Sequence, residues 1–186
     1  MFSPQLWHAP VVSEATFRHL PRLEEELEQH LRYITDNHND VRFASSLAVE
    51  DMVITDVIAR LKLPIKVFTL NTGKLHQETL ELLEKTRQRY PDLQIEEFHP
   101  LEDAVRDFDT NHGISSIYES LEQRKLCCGI RKVEPLNRAL EGADAWLTGQ
   151  RRSQSATRTD LPFEEKDEQR GIAKLNPILA WEADEI

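Results

Sequence analysis

Apolar residues along this chain alternate between helical and strand spacing, which predicts a series of strand–helix units. From Ser13 to about His38 they recur every three or four positions, so we expect an amphipathic helix with Ser13 as its cap and a break or restart at Pro21. Further helices are predicted at 50–61, 75–90, 101–109, 115–122 and 129–140, and another is expected to begin within 181–186. Short β-branched and aromatic runs predict strands at 41–45, 66–70, 94–98 and 144–148, with 172–175 as the least marked.

Strands that alternate with helices in this way form a parallel sheet covered by helices on both faces. The sequence therefore predicts an α/β fold with a parallel, twisted sheet of about five strands. Residues 1–12 are interpreted as an irregular arm and 13–186 as a single α/β nucleotide-binding domain. Ligands of such sheets bind beyond the carboxyl ends of the strands, where the strand order reverses.

Three loops follow strands one, two and four, at 45–51, 71–76 and 149–158, and we expect them to converge at that edge. In the first, Ser45 and Ser46 offer hydroxyls beside a helix N-terminus that favours anions, although a plain serine cap explains them too. In the second, Gly73 suits a tight turn and Thr72 suits a cap of the following helix. An ordinary strand-to-helix turn remains the alternative there.

The third loop is rich in arginine, with Arg151, Arg152 and Arg158 within ten residues of an otherwise acidic chain. The formal net charge is −10, which argues against binding a nucleic-acid backbone. Arginine presents paired donors that suit phosphate and sulfate oxygens, so we interpret this loop as an oxyanion site. Glu164 and Glu165 are expected on a solvated face. No apolar run approaches a membrane span or a signal peptide, and we expect a cytoplasmic protein.

The sequence contains two cysteines, the adjacent Cys127 and Cys128. Neighbouring cysteines do not readily form a disulfide with each other. Two thiolates on one short segment suit an iron–sulfur cluster or another thiophilic metal, and flanking cations such as Lys125 and Lys132 would offset its charge. Two ordinary buried cysteines beside a basic helix start explain the pattern equally well, because a metal needs more than two ligands.

The segment from Cys127 to Leu136 resembles the cluster-bearing segment of the assimilatory adenylyl-sulfate (APS) reductases, which are relatives of the phosphoadenylyl-sulfate (PAPS) reductases. The resemblance implies that Cys127 and Cys128 are two of four ligands to a 4Fe–4S cluster. It also implies a later C-x₂-C pair and a nucleophilic cysteine that lies beyond Ile186. The sequence contains neither, so we interpret the domain as truncated at its C-terminal end, assign no catalytic residue within it, and expect the cluster to be absent or unstable.

The loops extend the resemblance. Residues 45–51 are similar to a modified phosphate loop of ATP pyrophosphatases, which implies an adenine-nucleotide α-hydrolase-like fold. Ala48 stands where the family has a glycine that would allow positive φ and close ligand approach. Asn71 and Lys74 replace an aspartate and an arginine of the family's second loop, and 149–158 resembles its mobile arginine loop. The resemblance implies these substrate-binding residues: Ser45, Ser46, Glu50, Asp51, Thr72, Gly73, Lys132, Arg151, Arg152 and Arg158.

The activity that the resemblance implies is reduction of APS to sulfite and AMP, with electrons from thioredoxin or a similar dithiol protein. PAPS is the alternative substrate, disfavoured because its reductases lack the cluster cysteines. A non-catalytic adenine-nucleotide-binding module is the other alternative, since the nucleophile is missing from this sequence. Assembly into a homo-oligomer is left open.

Overall fold

A six-stranded sheet runs through this computed structural model, which describes residues 12–113, 115–154 and 160–186. Its strands lie in the order β3-β2-β1-β4-β6-β5. The order reverses between β1 and β4, because the chain adds β2 and β3 on one side of β1 and then crosses to the other side. The strands are β1 (Val41–Ala44), β2 (Ile65–Leu70), β3 (Ile95–Phe98), β4 (Ala145–Leu147), β5 (Glu164–Asp167) and β6 (Ile172–Leu175).

Strands β3, β2, β1, β4 and β6 are parallel neighbours, which confirms the predicted parallel sheet. β5 pairs antiparallel with β6, and the sequence pattern does not predict this edge strand. Its residues alternate between exposed and half-buried and are all charged, so they lack the apolar alternation of a strand. The solvated face expected for Glu164 and Glu165 agrees with the exposure of Glu164, whereas Glu165 is half-buried. Their charges suit an edge strand, because they discourage pairing with another chain.

The helices largely follow the predicted positions. They are α1 (Glu14–Asn37), α2 (Val49–Leu61), α3 (Gln77–Arg89), α4 (Glu102–His112), α5 (Leu121–Cys128) and α6 (Glu134–Ala139). A 3₁₀ turn at Ser116–Tyr118 and the start of α5 replace the helix predicted at 115–122. No described helix combines the length and the apolar character needed to cross a membrane. The predicted arm at 1–12 lies outside the described residues, apart from Val12.

Helix α1 begins at the predicted cap and continues through Pro21. The Ser13 side chain accepts a hydrogen bond from the backbone N of Thr16, as a helix cap does. The break predicted at Pro21 is wrong, because the helix is continuous to Asn37. Pro21 has no backbone N–H, so the carbonyl of Phe17 lacks its usual helical hydrogen bond. Both residues are exposed, and water can therefore satisfy that carbonyl.

Apolar side chains form two cores, one on each face of the sheet. On one face, α1, α2 and α3 pack against the parallel strands, and Leu27, Ile54 and Phe43 are fully buried there. On the other face, Ala139 and Leu140, at the end of α6, pack with strand residues of β2 and β4. Helices therefore cover both faces, as predicted. Clefts open on the second face at the carboxyl ends of β1, β2 and β4.

The segment 181–186 contains a turn and no helix, so the helix expected to begin there is wrong. Trp181 is buried in the first core, and the half-buried Ile186 packs against the same core. Between them, Asp184 accepts a hydrogen bond from Oγ1 of Thr16 on α1 at 2.8 Å. These contacts hold the segment against α1 and the first core, whereas local sequence alone suggested a helix.

Candidate functional site

The first loop, 45–51, is organised by the buried side chain of Asp51. Its Oδ2 accepts hydrogen bonds from the backbone N and the Oγ of Ser46, both at 2.6 Å. The backbone N of Ser45 donates to the carbonyl of Phe68 at 2.8 Å, which ties the loop to β2. The cap position of α2 is Ala48, without a side-chain hydrogen bond, so neither serine is a plain helix cap. Ser46 remains exposed at the carboxyl edge of the sheet.

The backbone of this loop makes its left-handed turn at Leu47. Leu47 has a φ of 63°, an uncommon conformation for a residue with a side chain, and it is buried. Ala48 has a φ of −69° and an extended ψ of 164°. The residue that stands in place of the family's glycine therefore needs no glycine-like backbone, because the turn is made one residue earlier.

The second loop, 71–76, is a tight turn stabilised by its own side chains. Gly73 has a φ of 71°, as its predicted role requires. Its backbone N donates to Oδ1 of Asn71, and the backbone N of Lys74 donates to Oγ1 of Thr72 at 3.2 Å. The prediction that Thr72 caps the following helix is wrong, because α3 begins after His76 and has no side-chain cap. Thr72 instead closes the turn in front of that helix.

The third loop is anchored at its base by Arg151. Its guanidinium donates to Glu50 Oε1 at 2.8 Å and to the carbonyl of Trp181 at 3.3 Å, and only 9% of the side chain is exposed. The neighbouring Arg152 donates through Nε to the carbonyl of Leu161. Both arginines predicted to bind substrate thus hold protein groups in this structure. The predicted contact of Arg158 lies outside the described residues.

Cys127 and Cys128 end α5, and a π-helical turn, Gly129–Val133, continues directly into α6. They therefore lie at the end of a helix, where the sequence suggested a helix start. Cys127 is buried and Cys128 is exposed, and both thiols are free. π-helical turns are rare and occur frequently at functional sites. This one presents Lys132 to the carboxyl edge of the sheet, where it lines a cleft.

Two neighbouring clefts bring the three loops together. The first has a volume of about 200 Å³ and combines Ser45, Ser46 and Thr72 with Lys132 and apolar residues of β2. The second, of about 280 Å³, lies between the first and third loops. Ala44 and Ser46 line both clefts. The predicted convergence is therefore present in the described residues, with Ser46 at its centre.

Acidic groups of the first loop have shifted pKa values. Burial raises the pKa of Asp51, and hydrogen bonds from Ser46 offset this only in part. Burial also pushes the pKa of Glu50 upward, but hydrogen bonds from Arg151 and Gln154 outweigh it, so the net shift is downward. Glu50 is therefore a stable anion that pairs with the base of the third loop. The second cleft has these two acids in its wall, whereas the first has Lys132.

Lys132 differs from the arginines nearby. Within the described part of the chain it has no hydrogen-bond or ion-pair partner, and it is exposed. A lysine ammonium is a compact charge with three donors, which suits an oxyanion that enters the first cleft. The substrate contacts of the predicted site residues remain predictions. The geometry nevertheless distinguishes Lys132, which is open to a ligand, from Arg151 and Arg152, which bind groups of the protein.

The cysteine pair matches the chemistry of an iron–sulfur cluster and supplies half of its usual ligands. Thiolates are the donors that such clusters require, and here they sit on consecutive residues. No group of three or more cysteine, histidine or acidic side chains suited to a metal occurs among the described residues. The residues present therefore fit the cluster in donor type and do not complete it.

The nucleophilic cysteine is a separate expectation, which the resemblance placed beyond Ile186. Ile186 itself packs against the first core and lines neither of the two clefts. The described clefts contain hydroxyls, charged groups and apolar side chains, and neither is lined by a cysteine. The position of the nucleophile stays a prediction.

Sequence reasoning missed several residues that shape the site. Phe68, Leu70 and Leu75 form the apolar wall of the first cleft. Arg131, a cation three residues after Cys128, is buried and holds the second loop. The position of Phe68 and Leu70 at the carboxyl end of a predicted strand was the available signal for the apolar wall. Nothing local identifies the partner of Arg131.

A mostly parallel sheet with clefts at its switch point defines an α/β protein of the open-sheet class, in which ligands bind at this edge. The family described as phosphoadenosine phosphosulfate reductase domain matches residues 40–186. The chain belongs to this family.

Similar proteins carry related names. The chain is 51% identical over its full length to an adenosine 5'-phosphosulfate reductase of Neisseria meningitidis serogroup B and spans 76% of that protein. It is 55% identical to one of Burkholderia cepacia, over 86% of this chain and 64% of that protein. Among solved structures, a PAPS reductase of Candida auris in a phosphate complex superposes with a TM-score of 0.70 at 26% identity. That superposition covers 94% of this chain and 84% of the other.

Proposed function

We propose that this protein reduces APS to sulfite and AMP in sulfate assimilation. The observation that carries the proposal is the 51% identity, along the whole chain, to a protein named adenosine 5'-phosphosulfate reductase. The geometry supports it, because an apolar cleft with hydroxyl donors and one available lysine suits an adenine nucleotide with an added anionic group. We infer a cytoplasmic protein that works with a thioredoxin-like donor.

In the proposed complex the first two loops bind the nucleotide. Ser46 and Thr72 provide hydroxyls at the carboxyl edge, and Phe68, Leu70 and Leu75 provide an apolar wall for a base. Lys132 supplies positive charge for the sulfonate oxygens. Arg158 is proposed to join it from the third loop, whose base is fixed by the pair of Arg151 and Glu50. The chain's own residues thus bind and orient the substrate.

The proposed reaction is attack of a cysteine thiolate on the sulfur of APS. A sulfur–sulfur bond forms, the sulfur–oxygen bond to the phosphate breaks, and AMP leaves with the bridging oxygen. A dithiol protein then reduces the S-sulfocysteine, releases sulfite and is oxidised to a disulfide. We assign no nucleophile within these 186 residues, because Cys127 and Cys128 are proposed metal ligands. A 4Fe–4S cluster, when bound there, would have an electrostatic and structural role near Lys132, whose positive charge would offset the negative charge of the thiolate-ligated cluster.

PAPS is the second candidate substrate, favoured by the structural likeness to the Candida auris PAPS reductase. PAPS differs from APS by a 3'-phosphate, so binding data distinguish the two. The adjacent cysteines, through their resemblance to the cluster segment of APS reductases, make APS our choice.

The test is calorimetric titration of the 186-residue chain with APS, PAPS and AMP, alongside an assay for thioredoxin-dependent sulfite release. We expect APS to bind more tightly than AMP and at least as tightly as PAPS. A clear preference for PAPS would transfer the proposal to that substrate. We expect no sulfite release from this chain alone, because we assign no nucleophile within it, so binding of AMP equal to that of APS is the result that would instead support a non-catalytic nucleotide-binding module.

A further inference from the structure

Arg131 is buried in the π-helical turn and connects three separate parts of the chain. Its Nη1 donates to the carbonyl of Thr72 at 3.0 Å, across 59 residues of sequence. Its Nη2 donates to the carboxylate of Asp109 on α4, with the nearer oxygen at 3.2 Å. Only 8% of the Arg131 side chain is exposed. One guanidinium therefore holds the second loop and α4 against the turn that follows the cysteines.

The second loop lies directly against this guanidinium. A Cβ built on Gly73 would be 3.5 Å from Nη1 of Arg131, which is ordinary van der Waals contact. The Nε of Arg131 is buried and has no hydrogen-bond partner among the described residues. A buried donor without a partner is costly to a fold. Such a cost is consistent with a residue retained for its position.

Residues before and after Arg131 in the sequence belong to the proposed site. Lys132 is the next residue and lines the first cleft, and Cys128 lies three residues before Arg131. Thr72, whose carbonyl Arg131 holds, lines the same cleft as Lys132. Two parts of the cleft lining, the second loop and the π-helical turn, are thus joined by the Arg131 side chain.

We propose that Arg131 is a positioning residue that sets the distance between Lys132 and the second loop, and so places the lysine charge on the substrate's sulfonate. The expected effect on nucleotide affinity rests on the proposed function. The expected effect on amide hydrogen exchange is independent of that function. Arginine is required because its planar fork serves two acceptors in different directions at once. A lysine ammonium in the same place cannot reach both Thr72 and Asp109 with fixed geometry.

The experiment compares Arg131→Lys, Lys132→Ala and the double variant with the unmodified chain. Arg138→Lys is the control, because Arg138 also joins two elements, α6 and the segment after β3, through the carbonyl of His99, but lines neither of the two site clefts. Affinities for APS and AMP are measured by calorimetry. Amide hydrogen exchange is measured in peptides that cover the second loop and the π-helical turn, without ligand.

We expect Arg131→Lys to lower the affinity for APS relative to AMP by about 10- to 100-fold, the scale of one charge-assisted hydrogen bond. Lys132→Ala should do the same, and the double variant should add nothing further, because Arg131 acts through Lys132. Exchange should become about tenfold faster in both peptides in Arg131→Lys and remain unchanged in Arg138→Lys.

Equal losses for APS and AMP in Arg131→Lys, or an effect that adds to that of Lys132→Ala, would assign Arg131 a purely structural role. Unchanged exchange in both peptides would overturn the proposal by itself. If the unmodified chain binds APS no better than AMP, the proposed function fails, and the exchange data still decide whether Arg131 joins the two walls. Should Arg131→Lys not fold, Asp109→Asn keeps the Thr72 bond, and we expect a smaller change in the same direction.

Discussion

Gly149 lies so close to Asp51 that a Cβ built on Gly149 would stand 2.1 Å from Oδ1 of Asp51. The backbone of Gly149 also favours the charged form of that carboxylate, although burial still raises its pKa. Asp51 in turn accepts from the backbone and the hydroxyl of Ser46. One carboxylate therefore joins the first and third loops at the point where the strand order reverses. The absence of a side chain at Gly149 allows this approach.

Replacement of Gly149 by alanine should destabilise the protein and weaken nucleotide binding. The new methyl group would displace a buried carboxylate, and overpacking of this kind costs about 2 kcal/mol in free energy of unfolding. Chemical denaturation and AMP titration measure the two effects. Gly129→Ala is the control, since its Cβ would meet no atom within 4 Å. Equal stability of the two variants would show that the loops separate easily.

The pair of Glu50 and Arg151 should make stability depend on pH. Because the pKa of Glu50 is lowered from its ordinary value of 4.5, its contribution is present above that value and is lost as the pH falls through the folded-state pKa. We expect Glu50→Gln to be less stable than the unmodified chain by about 2 kcal/mol at neutral pH. The difference should shrink below pH 4.5, as urea titrations across pH would measure.

The control for this prediction is Glu24→Gln. Glu24 pairs with Arg60 at 2.6 Å, but 55% of the Glu24 side chain is exposed. Exposed pairs contribute little, so this variant should differ from the unmodified chain by less than about 1 kcal/mol at any pH. A pH-independent difference for Glu50→Gln would contradict the assigned role of its charge.

Lys132→Ala should weaken binding of APS more than binding of AMP. Loss of a charge-assisted hydrogen bond to the sulfonate costs about 1.5–3 kcal/mol, and AMP lacks that group. Calorimetry with both nucleotides measures the difference, and Lys125→Ala serves as a control because Lys125 is exposed and lines neither cleft. Equal losses for both nucleotides would remove Lys132 from the sulfonate site. Arg158→Ala is predicted to follow the same pattern.

The 186-residue chain should not hold a stable four-iron cluster. Such a cluster takes four thiolates, and Cys127 and Cys128 supply two. After anaerobic reconstitution we expect iron and acid-labile sulfide well below four per chain, and thiol titration should find both cysteines free. A Cys127→Ser, Cys128→Ser double variant gives the background. About four irons per chain above that background would refute the prediction.

Local sequence patterns predicted most of the elements. The apolar spacing located α1, α2 and the strands β1 to β4, and the glycine of the second loop marked a turn that the structure contains. Convergence of the loops followed from the geometry of parallel sheets. The patterns failed where local signals mislead, as at Pro21, which stays within α1, at the charged edge strand β5, and in the segment that ends at Ile186.

The sequence by itself determined the α/β class, the order of the elements and the residues that reach the carboxyl edge, because periodicity and turn chemistry act over a few residues. Only the tertiary structure decided which group each cation binds. Arg151 pairs with Glu50 across 101 residues, and Arg131 binds the carbonyl of Thr72 across 59 residues, while Lys132 lines the first cleft. No spacing rule connects positions so far apart, since their contact depends on how the loops pack around the sheet.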